Sequence, residues 1–383
     1  MAPELDGRAC SIQTTFIPGL DHLAGLADEW EQVYASPENE PTNTLEWTQA
    51  VVRHRGGTHR HVGVVSVHRS GVPIGFVPLV ARTSHVLRLP CTILRPACEL
   101  KSTHSDLLLA DRRPATVAAL LDAVGRIKGW DCFRVDKVLT TNPLGDRLAD
   151  AARARGWIAR VSFSRAAYYL RLPASFDAYF AARSAKFRNH ARRMEKKLHA
   201  AGRVGVREFT TPDDVDAGFE ALLVVERASW KDEHGTSMAV QPSEAALYRE
   251  WGKDAARKGR LHLQILTLDD VPIAHNLGML ERGSYYYLKT SYADVYRPVS
   301  PATFLRLRLI DSLIARGCTT MDFPGTPYAW ERQWTDTYRW QRVVSIYRNT
   351  IRGRLLAALD RWGHHTESGE EPQHADPRAQ RHV

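Results

Sequence analysis

Five side chains in this sequence could accept a proton from a reacting group: Asp106, Glu226, His275, Asp322 and Glu331. A carboxylate or an imidazole can act as a general base that takes a proton from a reacting group. No protein nucleophile stands out, because the motif Gly-x-Ser-x-Gly is absent and no cysteine has an obvious histidine partner. The residue types therefore favour general-base catalysis over a covalent intermediate.

Three of these residues also have an ordinary structural interpretation. Asp322 ends a predicted strand and faces the start of a predicted helix at Ser300, where it could equally be a turn or capping carboxylate. Glu226 could be a surface helix residue, and His275 a hydrogen-bonded core histidine. If one helix ran through both Glu226 and Lys231, their five-residue spacing would place them on different faces.

The predicted helix that starts at Ser300 could bind phosphate. Ser300 suits the N-cap position and Pro301 the first helical position, and Leu305, Leu309 and Leu313 recur at a four-residue spacing. The start of a helix presents free N–H groups and the positive end of its dipole, both of which favour anions. Any strand–helix unit would show these signals, so the pattern alone leaves the phosphate site open.

The elements around this helix are predicted strands. Alternating apolar residues and turn signals predict an antiparallel meander over Leu261–Leu268, Pro272–Leu280 and Ser284–Thr290. A further strand, Cys318–Phe323, follows the helix. We expect these strands to form one sheet that carries the candidate residues.

Several short motifs in this half resemble one family. They match, in order and spacing, motifs of the CelD/BcsL-type, BioF2-like acetyltransferases, a branch of the GNAT superfamily that is akin to the FemAB transferases. The matching segments are Glu226-Arg-Ala-Ser-Trp-Lys231, His234-Gly235-Thr236, Pro272-Ile-Ala274, Tyr285-Tyr-Tyr-Leu-Lys289, Tyr292, Ser300-Pro301 and Asp322.

The resemblance implies an α/β fold with a mixed sheet and the transfer of an acyl group from acyl-CoA to an amine, without a metal. The implied cofactor-binding residues are Arg297, Ser300, Ala302 and Thr303. The implied substrate-binding residues are Trp230, Lys231, Lys289, Tyr292 and Trp330, of which Trp230 is more often a core residue. The reaction needs two substrates held together, a proton acceptor and backbone N–H groups that polarise the thioester carbonyl.

Two positions depart from the family pattern. Ala302 stands where the family usually has glycine, which adds a Cβ where the backbone approaches a ligand. Glu331 stands where the family usually has lysine, which reverses a charge near the expected acyl site. Both departures bear on the chemistry or the substrate rather than on the fold.

The first half of the chain suggests a divergent copy of the second. It reads as a helix over Leu20–Tyr34, a second helix from Asn43, a hairpin, a strand over His104–Leu109 and alternating helices and strands. We therefore predict tandem GNAT-like halves over residues 1–167 and 168–350, followed by a helix and a disordered tail over 351–383. On a strand, His104 and Asp106 would point the same way.

Composition sets limits on the class of protein. The chain has 383 residues and a net charge of +9, so two domains and an anionic partner are expected. Five dispersed cysteines without a CxxC pair, no signal peptide and no long apolar run favour a cytoplasmic protein without a membrane span. Histidines at 364, 365 and 374 have poor spacing for a metal site.

Three functions remain open. The first is acyl-CoA-dependent transfer to a small amine, an amino sugar or a precursor of the cell envelope or of a secondary metabolite. Aminoacyl-tRNA-dependent transfer of the FemAB kind is the second, and a non-catalytic binding protein on a GNAT scaffold is the third. The stretch Arg183–Leu198 has seven basic residues and one acid, which fits a solvated face, a clamp for cofactor phosphates or a path for nucleic acid. Because the family carries a basic helix here as well, we do not expect DNA binding.

Overall fold

The structure is a computed structural model that describes residues 11–55, 59–86, 88–99, 103–323 and 330–363. The strands in chain order are β1 Ile12–Pro18, β2 Arg60–Arg69, β3 Val72–Val86, β4 Leu89–Pro96, β5 Leu108–Leu109, β6 Cys132–Leu139, β7 Ile158–Arg171, β8 Val204–Phe209, β9 Leu261–Leu268, β10 Val271–Glu281, β11 Ser284–Tyr292, β12 Thr320–Asp322 and β13 Tyr338–Tyr347. The helices are α1 Ala27–Tyr34, α2 Leu45–Arg55, α3 Pro114–Arg126, α4 Leu144–Ala154, α5 Phe176–Ala181, α6 Ala185–Ala201, α7 Val215–Arg227, α8 Trp230–Glu233, α9 Pro242–Arg257, α10 Pro301–Ala315 and α11 Ile351–Gly363. The predicted mixed α/β fold is confirmed.

The described residues divide into two compact units. The first lies within Met1–Leu45, Thr58–Arg165 and Trp340–Val383, and the second within Glu46–Gly57 and Ala166–Arg339. The units therefore differ from a simple halving of the chain, because α2 belongs to the second unit and residues 340–363 belong to the first.

The first unit is built on strands in the order β1-β2-β3-β4-β6-β13, with the short β5 beside β3. Neighbouring strands are antiparallel except β4 and β6, which are parallel. Its core contains apolar side chains from β2, β3 and β6 and from helices α3 and α4.

The second unit is built on strands in the order β7-β12-β11-β10-β9-β8. The predicted antiparallel meander is confirmed as β9–β10–β11, and α10 then leads to β12, which pairs with β11 in parallel. Helix α10 packs on β9, β10 and β11. Helix α7 packs on the same three strands and α9 on β9.

Strand β11 is paired unevenly along its length. It pairs with β12 only over three residues, ending at Tyr286 opposite Asp322. Beyond that point, among the described residues, no strand pairs with β11 on the β12 side; we name residues 287–292 the open edge of β11. On the other side, the register with β10 shifts so that Leu288 is an extra residue, a β-bulge at the start of the open edge.

The bulge changes which way the side chains point. In a regular strand, Tyr287 and Lys289 would share a face. Here Tyr287 lies against Arg306 of α10, whereas Lys289 pairs with Glu244 of α9. Because of the bulge, one short stretch of β11 directs side chains both to α10 and to α9.

Several local predictions were wrong. The two strands expected around Trp157–Phe163 and Tyr168–Leu172 are one strand, β7. The strand expected from His104 is reduced to Leu108–Leu109, so His104 and Asp106 lie in a loop. The tail from residue 364, with its histidines, lies outside the described residues. Among the helices that are described, none has the length and apolar character needed to cross a membrane.

Candidate active site

Helix α10 begins without a side-chain cap. Ser300 precedes it in a left-handed backbone conformation (φ 49°, ψ 56°) and its hydroxyl makes no capping hydrogen bond. Pro301 has no N–H, and the N–H of Thr303 donates to the carbonyl of Ser300 at 3.0 Å. Within the described part of the chain, the N–H of Ala302 has no acceptor, so the first turn keeps a donor and the positive helix dipole for an anion.

The other expected phosphate ligand is Arg297. It lies in the turn between β11 and α10, is exposed, and pairs with Asp294 at 3.0 Å. Tyr292, the last residue of β11, is half-buried and packs with the apolar cluster at the start of α10. The structure thus brings Arg297, Ser300, Ala302 and Thr303 into one short segment beside the open edge of β11.

A charged cluster lies under α7 and α8. The carboxylate of Glu226 accepts hydrogen bonds from His275 Nε2 at 2.9 Å, from Lys231 Nζ at 3.3 Å and from the N–H of Met238 at 3.0 Å. Lys231 also donates to the carbonyl of Thr290 on β11. The prediction that Glu226 and Lys231 diverge was wrong, because the helix breaks at 228–229 and the chain turns back over Glu226.

The cluster has a definite charge pattern. Burial alone raises the pKa of Glu226, but the hydrogen bond from His275 and the ammonium of Lys231 outweigh burial and lower its pKa to about 2. Burial lowers the pKa of His275 and of Lys231, and Glu226 opposes both changes only in part. Glu226 is thus an anion, and a neutral His275 donates its Nε2 proton to it.

The tautomer of His275 leaves one nitrogen available. With the proton on Nε2, Nδ1 carries a lone pair, and it has no hydrogen-bond partner among the described residues although it is fully buried. Ser291 lies directly opposite on β11, and its buried hydroxyl also has no hydrogen-bond partner among the described residues. A carboxylate that orients an imidazole in this way is the arrangement of a general base with its orienting partner.

Lys289 forms a second ion pair beside this cluster. Its ammonium pairs with Glu244 of α9 and lies 5.7 Å from the ring centre of Tyr248. Glu244 is buried, and the pair compensates both charges, since a buried charge without a partner would be costly. Sequence reasoning missed Glu244 because helix α9 was not predicted, although Leu247, Trp251 and Ala255 have the four-residue spacing of a buried helix face.

The remaining candidates of the second unit lie in different surroundings. Asp322 is buried at the end of β12 and pairs with Arg339, whose guanidinium lies 4.5 Å from the ring centre of Tyr169. Glu331 is fully buried in a short turn of 3-10 helix. Trp330 packs on Phe323, with ring centres 5.7 Å apart. Trp230 is 40% exposed, so its interpretation as a core residue was wrong.

Asp106 belongs to the first unit and has its own partners. It is fully buried, pairs with Arg112, and accepts a hydrogen bond from the N–H of Leu107 at 2.8 Å. Burial raises the pKa of this carboxyl to about 7, although Arg112 opposes the rise. These contacts make Asp106 part of a buried polar network in the first unit.

No metal site is found in the described ranges. No group of three or more histidine, cysteine or acidic side chains there could hold a metal ion. Cys91, Cys98, Cys132 and Cys318 are buried free thiols.

Residues 185–332 match the family described as the acetyltransferase (GNAT) domain. This segment contains α6 to α10, β8 to β12 and every candidate residue of the second unit. The match supports a transferase with an acyl-transfer domain, and it agrees with the GNAT part of the sequence resemblance. No curated protein has a sequence that matches the chain significantly.

Solved structures agree on the fold. The crystal structure of FemX is 13% identical, with a TM-score of 0.59 over 91% of this chain and 100% of that one. The C-terminal domain of a putative lysylphosphatidylglycerol synthetase from Agrobacterium fabrum is 12% identical, with a TM-score of 0.53 over 89% and 96%. A conserved protein of unknown function from Bacteroides thetaiotaomicron is 12% identical, with a TM-score of 0.51 over 87% and 100%. At these identities the likeness concerns the fold alone.

Proposed function

We propose that this protein is an N-acyltransferase of the CelD/BcsL type, with two tandem GNAT-like halves, which moves an acyl group from acyl-CoA to an amine. The family resemblance implies an acetyl group, and the acceptor is a small molecule or an amino sugar, such as a cell-envelope or secondary-metabolite precursor. The observation that supports this proposal is the coincidence, within β11–α10–β12, of an uncapped helix start, an open strand edge and a β-bulge.

Each of these features has a role in the proposed reaction. The start of α10, with the N–H of Ala302 and the side chain of Arg297, would bind the diphosphate of CoA. The open edge of β11 would receive the pantetheine arm by hydrogen bonding to backbone groups that no strand uses. A backbone N–H released from the ladder at Leu288 would polarise the thioester carbonyl.

The chemical step forms one bond and breaks another. The nitrogen of the neutral amine attacks the thioester carbon, a C–N bond forms, and the C–S bond breaks with the electron pair leaving on sulfur. The amine proton must pass to a base, and the thiolate of CoA takes up a proton to leave as the thiol. Binding both substrates in one site supplies much of the rate, because it makes the step effectively unimolecular.

His275 is the base that the geometry supports best. Its Nε2–H donates to Glu226, which leaves Nδ1 as a lone-pair acceptor that would take the amine proton. With a pKa near 2 and three hydrogen-bond donors, Glu226 is a weak base and a good orienting group. Asp322 is the second candidate, and it pairs with Arg339.

The proposal is tested by CoA binding to the full-length protein. Titration with CoA and acetyl-CoA should show saturable binding and raise the melting temperature by mass action. Ala302→Glu places a carboxylate in the second position of α10 and should weaken binding about 10-fold or more by repelling the diphosphate.

The chain offers a matched control for that variant. Ser243 has the same position in α9, directly after a proline at the helix start. Ser243→Glu therefore adds the same charge to an equivalent site and should leave CoA binding unchanged. Absence of saturable binding at millimolar CoA, or equal effects of the two variants, would overturn the proposed donor site.

One observation favours an aminoacyl-tRNA donor as the second candidate. Five exposed basic residues of α6 have no carboxylate partner among the described residues: Lys186, Arg192, Arg193, Lys196 and Lys197. The one acid of the helix, Glu195, pairs with Arg308 at 2.6 Å. Such a basic face would bind along the phosphate backbone of a nucleic acid.

One experiment distinguishes the two proposed donors. Aminoacyl-tRNA binding that falls steeply with salt and is weakened by Lys196→Glu and Lys197→Glu, with no binding of CoA, would support the tRNA-dependent function. Acyl transfer from acetyl-CoA to any amine of an acceptor panel would support the first. Tight CoA binding with no transfer to any acceptor would favour a non-catalytic binding protein.

A further inference from the structure

Arg306 is a buried cation with an unusual set of neighbours. It lies on α10, is only 5% exposed, and its guanidinium carbon is 4.0 Å from the ring centre of Trp330, 4.9 Å from Trp334 and 5.6 Å from Tyr287. We name these three rings the aromatic cage. Among the described residues no carboxylate lies within ion-pair distance of Arg306, and its Nε has no hydrogen-bond partner.

Two other enclosed arginines of this chain have counter-ions. Arg112 pairs with Asp106 and Glu38, and Arg260 pairs with Glu46 at 2.6 Å and with Glu281 at 2.5 Å. The sequence between Phe323 and Trp330, Pro-Gly-Thr-Pro-Tyr-Ala, contains no acid that could serve Arg306. Burying an unpaired charge is costly, and stacking on aromatic rings offsets that cost only in part.

The position of the cage links it to the donor site. Tyr287 is the first residue of β11 past its pairing with β12, and it directly precedes the bulge at Leu288. Trp330 and Trp334 follow β12 in the chain. If the thioester carbonyl lies at the bulge, the atoms beyond that carbonyl, which form the acyl chain, lie next to Tyr287 and Arg306.

We propose that Arg306 binds a carboxylate at the far end of the acyl group, so that the preferred donor is the CoA thioester of a short dicarboxylic acid. The inference rests on the proposed CoA-dependent function. A guanidinium matches a carboxylate in shape and can donate two parallel hydrogen bonds to it. The aromatic rings fix the plane of the guanidinium and exclude water around the pair.

Succinyl-CoA and butyryl-CoA test this inference, because both acyl groups have four carbons and only one ends in a carboxylate. Full-length wild-type protein, Arg306→Met and Arg306→Lys are titrated with both esters and with CoA by calorimetry. Wild-type protein should bind succinyl-CoA about 10- to 100-fold more tightly than butyryl-CoA. Arg306→Met should lose that preference and keep its affinity for CoA, and Arg306→Lys should keep part of the preference.

Arg308→Met is the matched control. Arg308 lies on the same helix, is exposed, and pairs with Glu195. Its replacement should leave the ratio of succinyl-CoA to butyryl-CoA affinity unchanged. If Arg306→Met does not fold, the ratio in the wild-type protein still decides the question.

The outcomes separate the inference from the function on which it rests. Saturable binding of CoA with equal affinities for the two esters in wild-type protein overturns the inference, assigns the cage a packing role only, and leaves the proposed function standing. Failure of CoA and of both esters to bind refutes the proposed function, and the inference with it. A preference that persists in Arg306→Met overturns the assignment to Arg306.

Discussion

Replacing Glu226 with glutamine removes one buried negative charge and nearly preserves the shape of the side chain. Glu226 is 1% exposed and is held by His275, Lys231 and the N–H of Met238. In Glu226→Gln, the ammonium of Lys231 loses the carboxylate with which it pairs and keeps its hydrogen bond to the carbonyl of Thr290. We expect a large loss of stability, because an enclosed charge is left without its partner.

The size of the loss follows from the pKa of Glu226. Its value of about 2 in the folded protein lies about 2.5 below the ordinary 4.5, which corresponds to roughly 3 kcal/mol at 1.36 kcal/mol per pKa unit. This figure agrees with the 3–5 kcal/mol typical of breaking a buried ion pair. Because the folded-state pKa is lowered, the contribution is complete above pH 4.5 and is lost as the pH falls toward 2.

The assay is urea unfolding of wild-type protein and Glu226→Gln at pH 6 and pH 3. The difference in unfolding free energy between the two proteins should be roughly 3 kcal/mol at pH 6 and should shrink by about 2 kcal/mol at pH 3. Glu220→Gln is the matched control, because Glu220 is an exposed glutamate of the same helix that pairs with Arg249. Its replacement should cost less than about 0.5 kcal/mol at either pH.

A double-mutant cycle with Lys231→Met identifies the partner. Removing both charges should cost less than the sum of the single changes by about 1–3 kcal/mol, because neither charge is then left alone. A loss below about 1 kcal/mol for Glu226→Gln at pH 6 would refute the reasoning. A difference that is the same at both pH values would refute it as well.

Three further changes test other parts of the second unit by the same unfolding measurement. Gly278→Ala should cost about 1–3 kcal/mol, because its Cβ would lie 2.2 Å from the ring of Tyr285; an unchanged stability would mean that the ring moves freely. Arg260→Met should cost about 1.5–3 kcal/mol by removing a charge-assisted hydrogen bond from the buried carboxylate of Glu46, which keeps Lys258 at 3.1 Å, and Arg260→Lys should cost less. Ser300→Gly should gain up to about 1 kcal/mol by relieving a left-handed serine, and a loss of stability would contradict that strain.

Periodic elements of the second unit were predictable from the sequence. The meander β9–β10–β11 alternates apolar and polar residues between clear turn signals, and α10 has a wide apolar face after Ser300-Pro301. Such patterns reflect local geometry, which a sequence displays directly. The pairing of β9 with β10 and of β10 with β11 also follows, because short turns join these strands.

Features that depend on tertiary contacts were not predictable in the same way. The break at 228–229 that returns Lys231 to Glu226 has no glycine or proline to mark it. The assignment of α2 to the second unit rests on Trp47, whose ring packs 5.6 Å from that of Trp251, and on Glu46, which pairs with Arg260. Neither partner is visible without the three-dimensional structure, since both are about 200 residues away in the chain.

The strand pair β10–β11 separates two kinds of polar chemistry. His275 and Asn276 are neighbours on β10 and point to opposite faces: His275 to Glu226 under α7, and Asn276 to the hydroxyl of Tyr287 on the side of α10. Charges on the α7 side are paired within the protein, which fixes an imidazole for proton transfer. The guanidinium of Arg306 on the α10 side lacks such a partner among the described residues. A substrate carboxylate would therefore bind most favourably on the α10 side. An amine would be deprotonated most readily beside His275.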